Sequence, residues 1–208
     1  MPSVPTPPAD LRATILQASI RLIEEQGISA LSLREVARRA GVSHQAPYHH
    51  FRDRETILAT LVEEGFHRLA DRLEAALQRP RKLAAKLSSL AEAYVRFALD
   101  APAHFRLMFR PELVDLGRFP EAERAGARAL SILQNVVAGL NEELDERTRA
   151  VWQSYAWSLP HGLALLMLDG SLGQAFATTR ERDAHIALVA EQFGLTMVAA
   201  TRKTRQRP

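Results

Sequence analysis

The 208-residue sequence contains no cysteine. That excludes a disulfide framework, a thiolate metal site and a cysteine nucleophile. No run of 18 apolar residues occurs, and the longest apolar patches, such as Gly162 to Leu168, are too short to span a bilayer. The start, MPSVPTPPAD, has neither a basic nor an apolar region of the secretory kind. The expectation is a soluble cytoplasmic protein with no membrane partner. An excess of one charge sign is also lacking: 27 Lys+Arg face 24 Asp+Glu, for a net charge of +3. A sequence-blind, architectural DNA binder needs a far stronger positive field. No stretch alternates with period two, and no repeat recurs at a fixed spacing. The enzyme motifs H-E-x-x-H, G-x-S-x-G and G-x-x-x-x-G-K are missing, so no catalytic residue and no cofactor is expected.

What is present reads as a globular chain of one or two domains, 47% apolar and 25% charged. Its charge is divided. Residues 1–60 are net +1, residues 61–201 net −2, and the tail from Arg202 to Pro208 net +4. Residues 1–9, with four prolines, read as a disordered arm. Asp10 offers an N-cap to a helix striped by Leu11, Ile15, Ala18 and Leu22, which Gly27 stops. Ser32-Leu33-Arg34-Glu35 is a capping box. It opens a short helix to Ala40, ended by Gly41. Ser43 caps a second short helix through Phe51, and Asp53 caps a long one to about Gln78. Further amphipathic helices are expected at Arg81–Asp100, Ala103–Arg110, Glu121–Leu144, Glu146–Asp169 and Arg182–Ala200. The fold class is therefore all-α with about nine helices. The division is an arm at 1–9, a three-helix helix-turn-helix domain at 10–54, a helical domain at 55–201 and a basic disordered tail at 202–208.

The order short helix, Gly turn, short helix is the sequence form of a helix-turn-helix. Leu33, Val36 and Ala37 face the first helix. Ala40 and Gly41 are small enough for two helices to cross closely, and glycine supplies the positive φ that the turn needs. Ser43, His44, Gln45, Ala46 and Tyr48 remain on the outer face. They are the short or hydrogen-bonding side chains that reading a major groove requires. The stretch LSLREVARRAGVSHQAPYHHFRDRETIL resembles the DNA-binding region of the TetR family of transcriptional regulators. The carriers of the resemblance are Ala40-Gly41-Val42-Ser43, Tyr48-His49-His50-Phe51 and Arg54, within Leu11 to Leu61. WSLPHGLALLMLDG and AYVRFALDAPAHFRLMFRPEL resemble the family's WHG-type C-terminal domain. One departure is Pro47, which stands where relatives carry Leu or another apolar residue. As the fourth helical residue it forfeits one intrahelical bond, and a tolerated proline with a slightly shifted helix start is expected.

The resemblance implies roles. Ser43 contacts a phosphate or base, or serves as a cap alone. His44 and Gln45 read bases; Gln pairs with adenine and His donates to guanine. Ala46 touches a thymine methyl, or is small to allow approach. Tyr48, His50 and Arg54 hold phosphates, and Arg34 on the preceding helix joins them. The remaining helices, which carry both Trp and two of the three Tyr, imply a pocket for a hydrophobic small-molecule effector. Its candidates are Phe66, Tyr94, Phe97, Phe105, Met108, Phe109, Trp152, Tyr155 and His161, with ordinary core packing as the alternative reading. Pro160 is expected to kink its helix and open a cavity near Trp157 and His161. Reading two half-sites of a palindromic operator in double-stranded DNA implies a homodimer. Its last two helices would pair across the axis through Leu188, Val189, Phe193, Thr196 and Met197. A metal site at His44, His49 and His50 is set aside, because adjacent helical residues diverge by about 100°. The expected function is a ligand-responsive, sequence-specific regulator, a repressor. The alternative is a helical protein that binds a small molecule without reading DNA.

Overall fold

A computed structural model describes residues 10–79, 82–140 and 144–204. The expected arm at 1–9, the last residues of the expected helix to Leu144 and the tail from 205 onward include positions outside that range. Eight α-helices form among the described residues, with no strand: α1 (Leu11–Gln26), α2 (Leu33–Ala40), α3 (Arg54–Leu77), α4 (Leu83–Asp100), α5 (Pro102–Met108), α6 (Pro120–Ala138), α7 (Glu146–Leu168) and α8 (Thr179–Thr204). The all-α class is as the sequence indicates. α6 ends at Ala138, earlier than the helical pattern suggested, and α8 continues to Thr204, into the segment read as tail.

The ninth expected helix is corrected. Residues 43–51 form a 3₁₀ turn, Ala46–His49, not an α-helix capped by Ser43. Pro47 is the physical reason. It has no N–H to give to the Ser43 carbonyl, so the Ala46 amide takes that carbonyl at 3.0 Å, one residue early. Tyr48 to Gln45 (3.1 Å) and His50 to Pro47 (3.0 Å) continue the same three-residue spacing.

The molecule divides into two compact units. The first joins residues up to Gly65 with Ala103–Glu123; the second joins Phe66–Pro102 with Arg124 onward. The division falls inside α3. In the first unit, Ile15, Leu22, Val36, Phe51, Ile57 and Leu61 are all but inaccessible to solvent. The expected N-caps at Asp10 and Ser32 form, though the Glu35 carboxylate of the capping box turns to Arg38 and Arg39. Asp10 accepts from the Ala13 amide at 2.9 Å and Ser32 from the Glu35 amide at 3.2 Å. Gly41 (φ 69°) lets its own amide and that of Val42 return to Arg38 and Ala37, which closes α2. α5 sits against α3 so closely that a Cβ on Gly65 would lie 2.7 Å from Met108 Sδ.

In the second unit α4 is the central helix, and α7 and α8 pack on it. The buried stripe of α8 is Ile186, Ala190, Phe193, Met197 and Thr201. Ala84 and Ser88 of α4 come so near that a Cβ at Gly194 would stand 2.2 Å from the Ala84 carbonyl oxygen. α8 is long and apolar enough by composition to cross a membrane. The apolar side chains on its α4-facing side account for part of that apolarity. The expected pairing stripe is corrected in part: Phe193 and Met197 are buried within the protomer, whereas Leu188 and Thr196 are exposed.

Candidate nucleic-acid interface and effector region

The segment after α2 is displayed by what it anchors. Pro47 and Phe51 are buried and fix the turn on the first unit. Ser43, His44, Gln45, Tyr48, His49 and His50 are exposed, and Ala46 is half-buried. Tyr48 is 57% exposed, a large aromatic left outside the core. With three residues per turn and Pro47 inward, Gln45 and Tyr48 share one outer edge while Ala46 and His49 share the other. Sequence reasoning gave His49 no part in the DNA-facing edge. A helical wheel referenced to the buried position Pro47 would have placed it outward.

Several cations lie on the helices that precede and follow this segment. Arg34 is exposed on the first turn of α2. Arg38 and Arg39 are engaged: Arg38 donates to Glu35 at 2.6 Å, and Arg39 pairs with Glu25 at 2.7 Å. The Arg38 hydrogen bond holds the Glu35 carboxyl below the usual carboxylate range. Arg12 of α1, another residue that sequence reasoning missed, places its guanidinium 5.8 Å from the centroid of the Phe51 ring. Only the tertiary fold shows this, since the two residues lie far apart in sequence. Arg54 is half-buried, and its Nη2 donates to the Ile28 carbonyl at 2.8 Å. It thereby ties the start of α3 to the turn after α1. Asp53 caps α3, accepting from the amide and hydroxyl of Thr56 at 2.8 Å each, and these bonds pull its carboxyl below its usual range.

The nine aromatic and related candidates are divided between the two units. Phe105, Met108 and Phe109 belong to the first unit. The first two are buried, and Phe105 meets Phe109 edge-on with ring centroids 5.2 Å apart. Phe66, Tyr94, Phe97, Trp152, Tyr155 and His161 belong to the second. Phe97 is buried core, and Phe66 packs against Gly126, where a Cβ would meet its ring at 3.4 Å. Trp152 and Tyr155 stack edge-on along α7, with Tyr155 exposed.

A polar chain joins α4 and α7 in the second unit. Trp157 Nε1–H donates to Tyr94 Oη at 3.2 Å, and Tyr94 Oη shares a 2.8 Å hydrogen bond with His161 Nδ1. Because an indole N–H only donates, the tyrosine oxygen accepts from Trp157, while the direction of the bond between Tyr94 and His161 is set by the imidazole tautomer. Burial pushes the Tyr94 hydroxyl well above its ordinary range and pulls the His161 imidazole below its own. Both shifts keep the chain uncharged. α7 runs as one helix through buried Pro160.

Comparison with known proteins gives concordant matches. Residues 87–191 match the family model described as tetracyclin repressor-like, C-terminal domain. Residues 15–61 match that of the bacterial regulatory proteins of the tetR family. A solved protein of unknown function from Rhodococcus sp. RHA1 is 29% identical, with 95% of this chain and 98% of that one covered and a TM-score of 0.75. A TetR family transcription regulator from Marinobacter aquaeolei VT8 is 22% identical over 87% and 93% of the two chains, with a TM-score of 0.65. The transcriptional regulator FadR from Bacillus subtilis, solved with stearoyl-CoA, is 16% identical over 90% and 97%, with a TM-score of 0.69. The last two likenesses speak to the fold alone.

Proposed function

Since the chain belongs to the TetR family of bacterial regulatory proteins, we propose that it is a ligand-responsive transcriptional repressor that binds a palindromic operator as a homodimer. The observation that carries this reading is the exposed edge of Ser43, His44, Gln45, Tyr48, His49 and His50, pinned by buried Pro47 and Phe51, with exposed Arg12 and Arg34 on the neighbouring helices. Gln45 and His44 read base edges in the major groove, and Ala46 allows close approach to a thymine methyl. Ser43, Tyr48, His50 and Arg34 hold the phosphate rails, joined by Arg12. Arg54 acts by bracing the turn at Ile28 as well as by its charge. The working compartment is the cytoplasm.

Reading two half-sites requires two copies with a fixed spacing. Support for the pairing face comes from the outward sides of α7 and α8. There Val151, Tyr155, Leu165, Leu166, Leu188 and Leu195 are exposed, opposite the faces buried on α4. Small Ser154, Ser158 and Gly162 run between those of α7, and a Cβ at Gly162 meets nothing within 4 Å. The effector is a hydrophobic molecule taken up by the second unit, where the chain through Tyr94 and His161 offers the polar contact. Its binding shifts operator affinity by favouring one arrangement of the dimer; a coupling of about 1–3 kcal/mol corresponds to roughly 5–150-fold.

Selection of bound duplexes from a random pool with purified protein tests the reading. An enriched palindrome is expected. No enrichment would transfer support to the alternative, a small-molecule-binding protein that does not read DNA. With an operator in hand, Gln45→Ala should relax preference at one position per half-site by about 1–3 kcal/mol. Tyr48→Phe should instead weaken all sequences alike.

A further inference from the structure

Within residues 43–50 Pro47 alone is buried. It is held twice over. Its ring occupies the buried position, and its carbonyl accepts from the His50 amide at 3.0 Å and from the Phe51 amide at 2.9 Å. Having no amide of its own, it cannot close a four-residue bond to Ser43, and the Ala46 amide takes the Ser43 carbonyl at 3.0 Å instead. The exposed side chains on either side of Pro47 therefore stand on a 3₁₀ frame, Ala46–His49. That frame decides what they reach. A 3₁₀ turn advances about 2.0 Å and about 120° per residue; an α-helix advances about 1.5 Å and about 100°. The turn thus brings Gln45 and Tyr48 into one row, about 6 Å apart. On an α-helix Tyr48 would lie about 60° around from Gln45 and about 4.5 Å along. At the ~5 Å radius of a helix with its side chains, that rotation displaces a side chain by about 5 Å. Successive base pairs are only about 3.4 Å apart.

We propose that Pro47 determines which operator this protein selects, as a buried positioning residue that sets the register of the reading surface without touching DNA. This rests on the assignment of that surface to DNA. Proline keeps Gln45 and Tyr48 in one row and Ala46 and His49 in the other, so the preferred half-site is the one whose base edges match that spacing. The same exposed residues on an α-helical frame match a different half-site. Arg12 and Arg34 lie on other helices. A change of frame therefore moves the base contacts while those two cations, and the sequence-independent attraction they supply, stay in place.

The test is selection from one random pool of duplexes with the full chain as wild type, Pro47→Leu and Pro47→Ala in parallel. Both substitutions return the amide that can donate to the Ser43 carbonyl. Alanine adds no bulk to the buried site, which guards against overpacking by leucine. Circular dichroism and thermal melting report whether each variant is folded. Every enriched duplex is then titrated with every protein, beside a scrambled duplex at the same salt. The expected result is a changed half-site for the substituted proteins. Each protein should prefer its own duplex by about tenfold or more, the scale of a lost base contact. Affinity for the scrambled duplex should stay within about threefold of wild type. The wild-type half-site enriched by a folded variant overturns the proposal. So does a folded variant that enriches nothing, or that binds every duplex more weakly in the wild-type order of preference, because Pro47 then supports the surface and does not select the sequence. Unfolding of both variants counts against it as well, by making Pro47 a requirement of the core. Failure of the wild type to enrich any duplex removes the DNA assignment itself, which is a different outcome from all of these.

Discussion

Gly194→Ala places one methyl group where the structure has no room for it. The added Cβ would stand 2.2 Å from the Ala84 carbonyl oxygen and 2.3 Å from Ser88 Oγ. Ordinary contact needs about 3.5 Å, so α8 and α4 must part by roughly 1 Å at their crossing. The Ala84 oxygen is backbone and cannot swing aside. Ser88 cannot easily turn away either, because its hydroxyl donates to that same carbonyl at 2.9 Å. A gap of that size forfeits between a quarter and a half of the dispersion attraction along the seam, which Phe193 and Met197 help to fill. Overpacking of this kind costs about 3 kcal/mol, and alanine's better helix propensity returns about 1 kcal/mol. The net loss of about 2 kcal/mol corresponds to a melting temperature lowered by about 4–8 °C. Thermal unfolding by circular dichroism at fixed protomer concentration measures it. Gly162→Ala is the control when carried in a background made monomeric at the pairing face: its Cβ enters open space in the protomer, and propensity alone should raise the melting temperature by about 2–4 °C. A Gly194→Ala protein melting within about 1 °C of the parent would refute the close crossing.

Tyr94→Phe removes the hydroxyl that links Trp157 to His161 and should cost about 1–3 kcal/mol, read by urea unfolding. Nitrogen-15 chemical shifts of His161 in the intact protein read the direction of the Tyr94–His161 bond: an Nε2–H form makes Tyr94 the donor to Nδ1, and an Nδ1–H form makes it the acceptor. Burial lowers the folded-state pKa of His161. Below the ordinary histidine range the unfolded chain therefore binds more protons, and stability contributed by this group is present above that range and lost as pH falls toward the folded value. Tyr94→Phe should change that acid limb in a stability–pH profile. Arg54→Ala should lower the melting temperature as well as operator affinity, because it cuts the 2.8 Å bond to Ile28, whereas Tyr48→Phe should leave melting unchanged; equal melting of the two variants argues against the bracing role. Leu165→Glu with Leu188→Glu should yield folded monomers by light scattering, and a persistent dimer would move the pairing face elsewhere.

Local chemistry made much of this protein legible before any coordinates. Caps such as Asp10, Ser32 and Gly41, and the 3–4 spacing of apolar residues, act within about one helical turn, so the sequence alone located the helices and the helix-turn-helix motif. The cause of the 3₁₀ turn at 46–49 was also visible, in Pro47, though its full effect was not. A missing amide shows which bond is lost; that the Ala46 amide takes the orphaned carbonyl, with Pro47 and Phe51 buried, is visible only in the fold. Tertiary structure decided the choices among faces. α8 carries apolar residues on two opposite sides, and only packing on α4 reveals that Phe193 and Met197 turn inward while Leu188 turns out. The grouping of Phe105 and Met108 with the first unit, Arg12 over Phe51, and the Tyr94–His161–Trp157 chain all join residues remote in sequence. Helical periodicity states that a face is apolar, but the partner that covers it is fixed by contacts formed when distant segments meet.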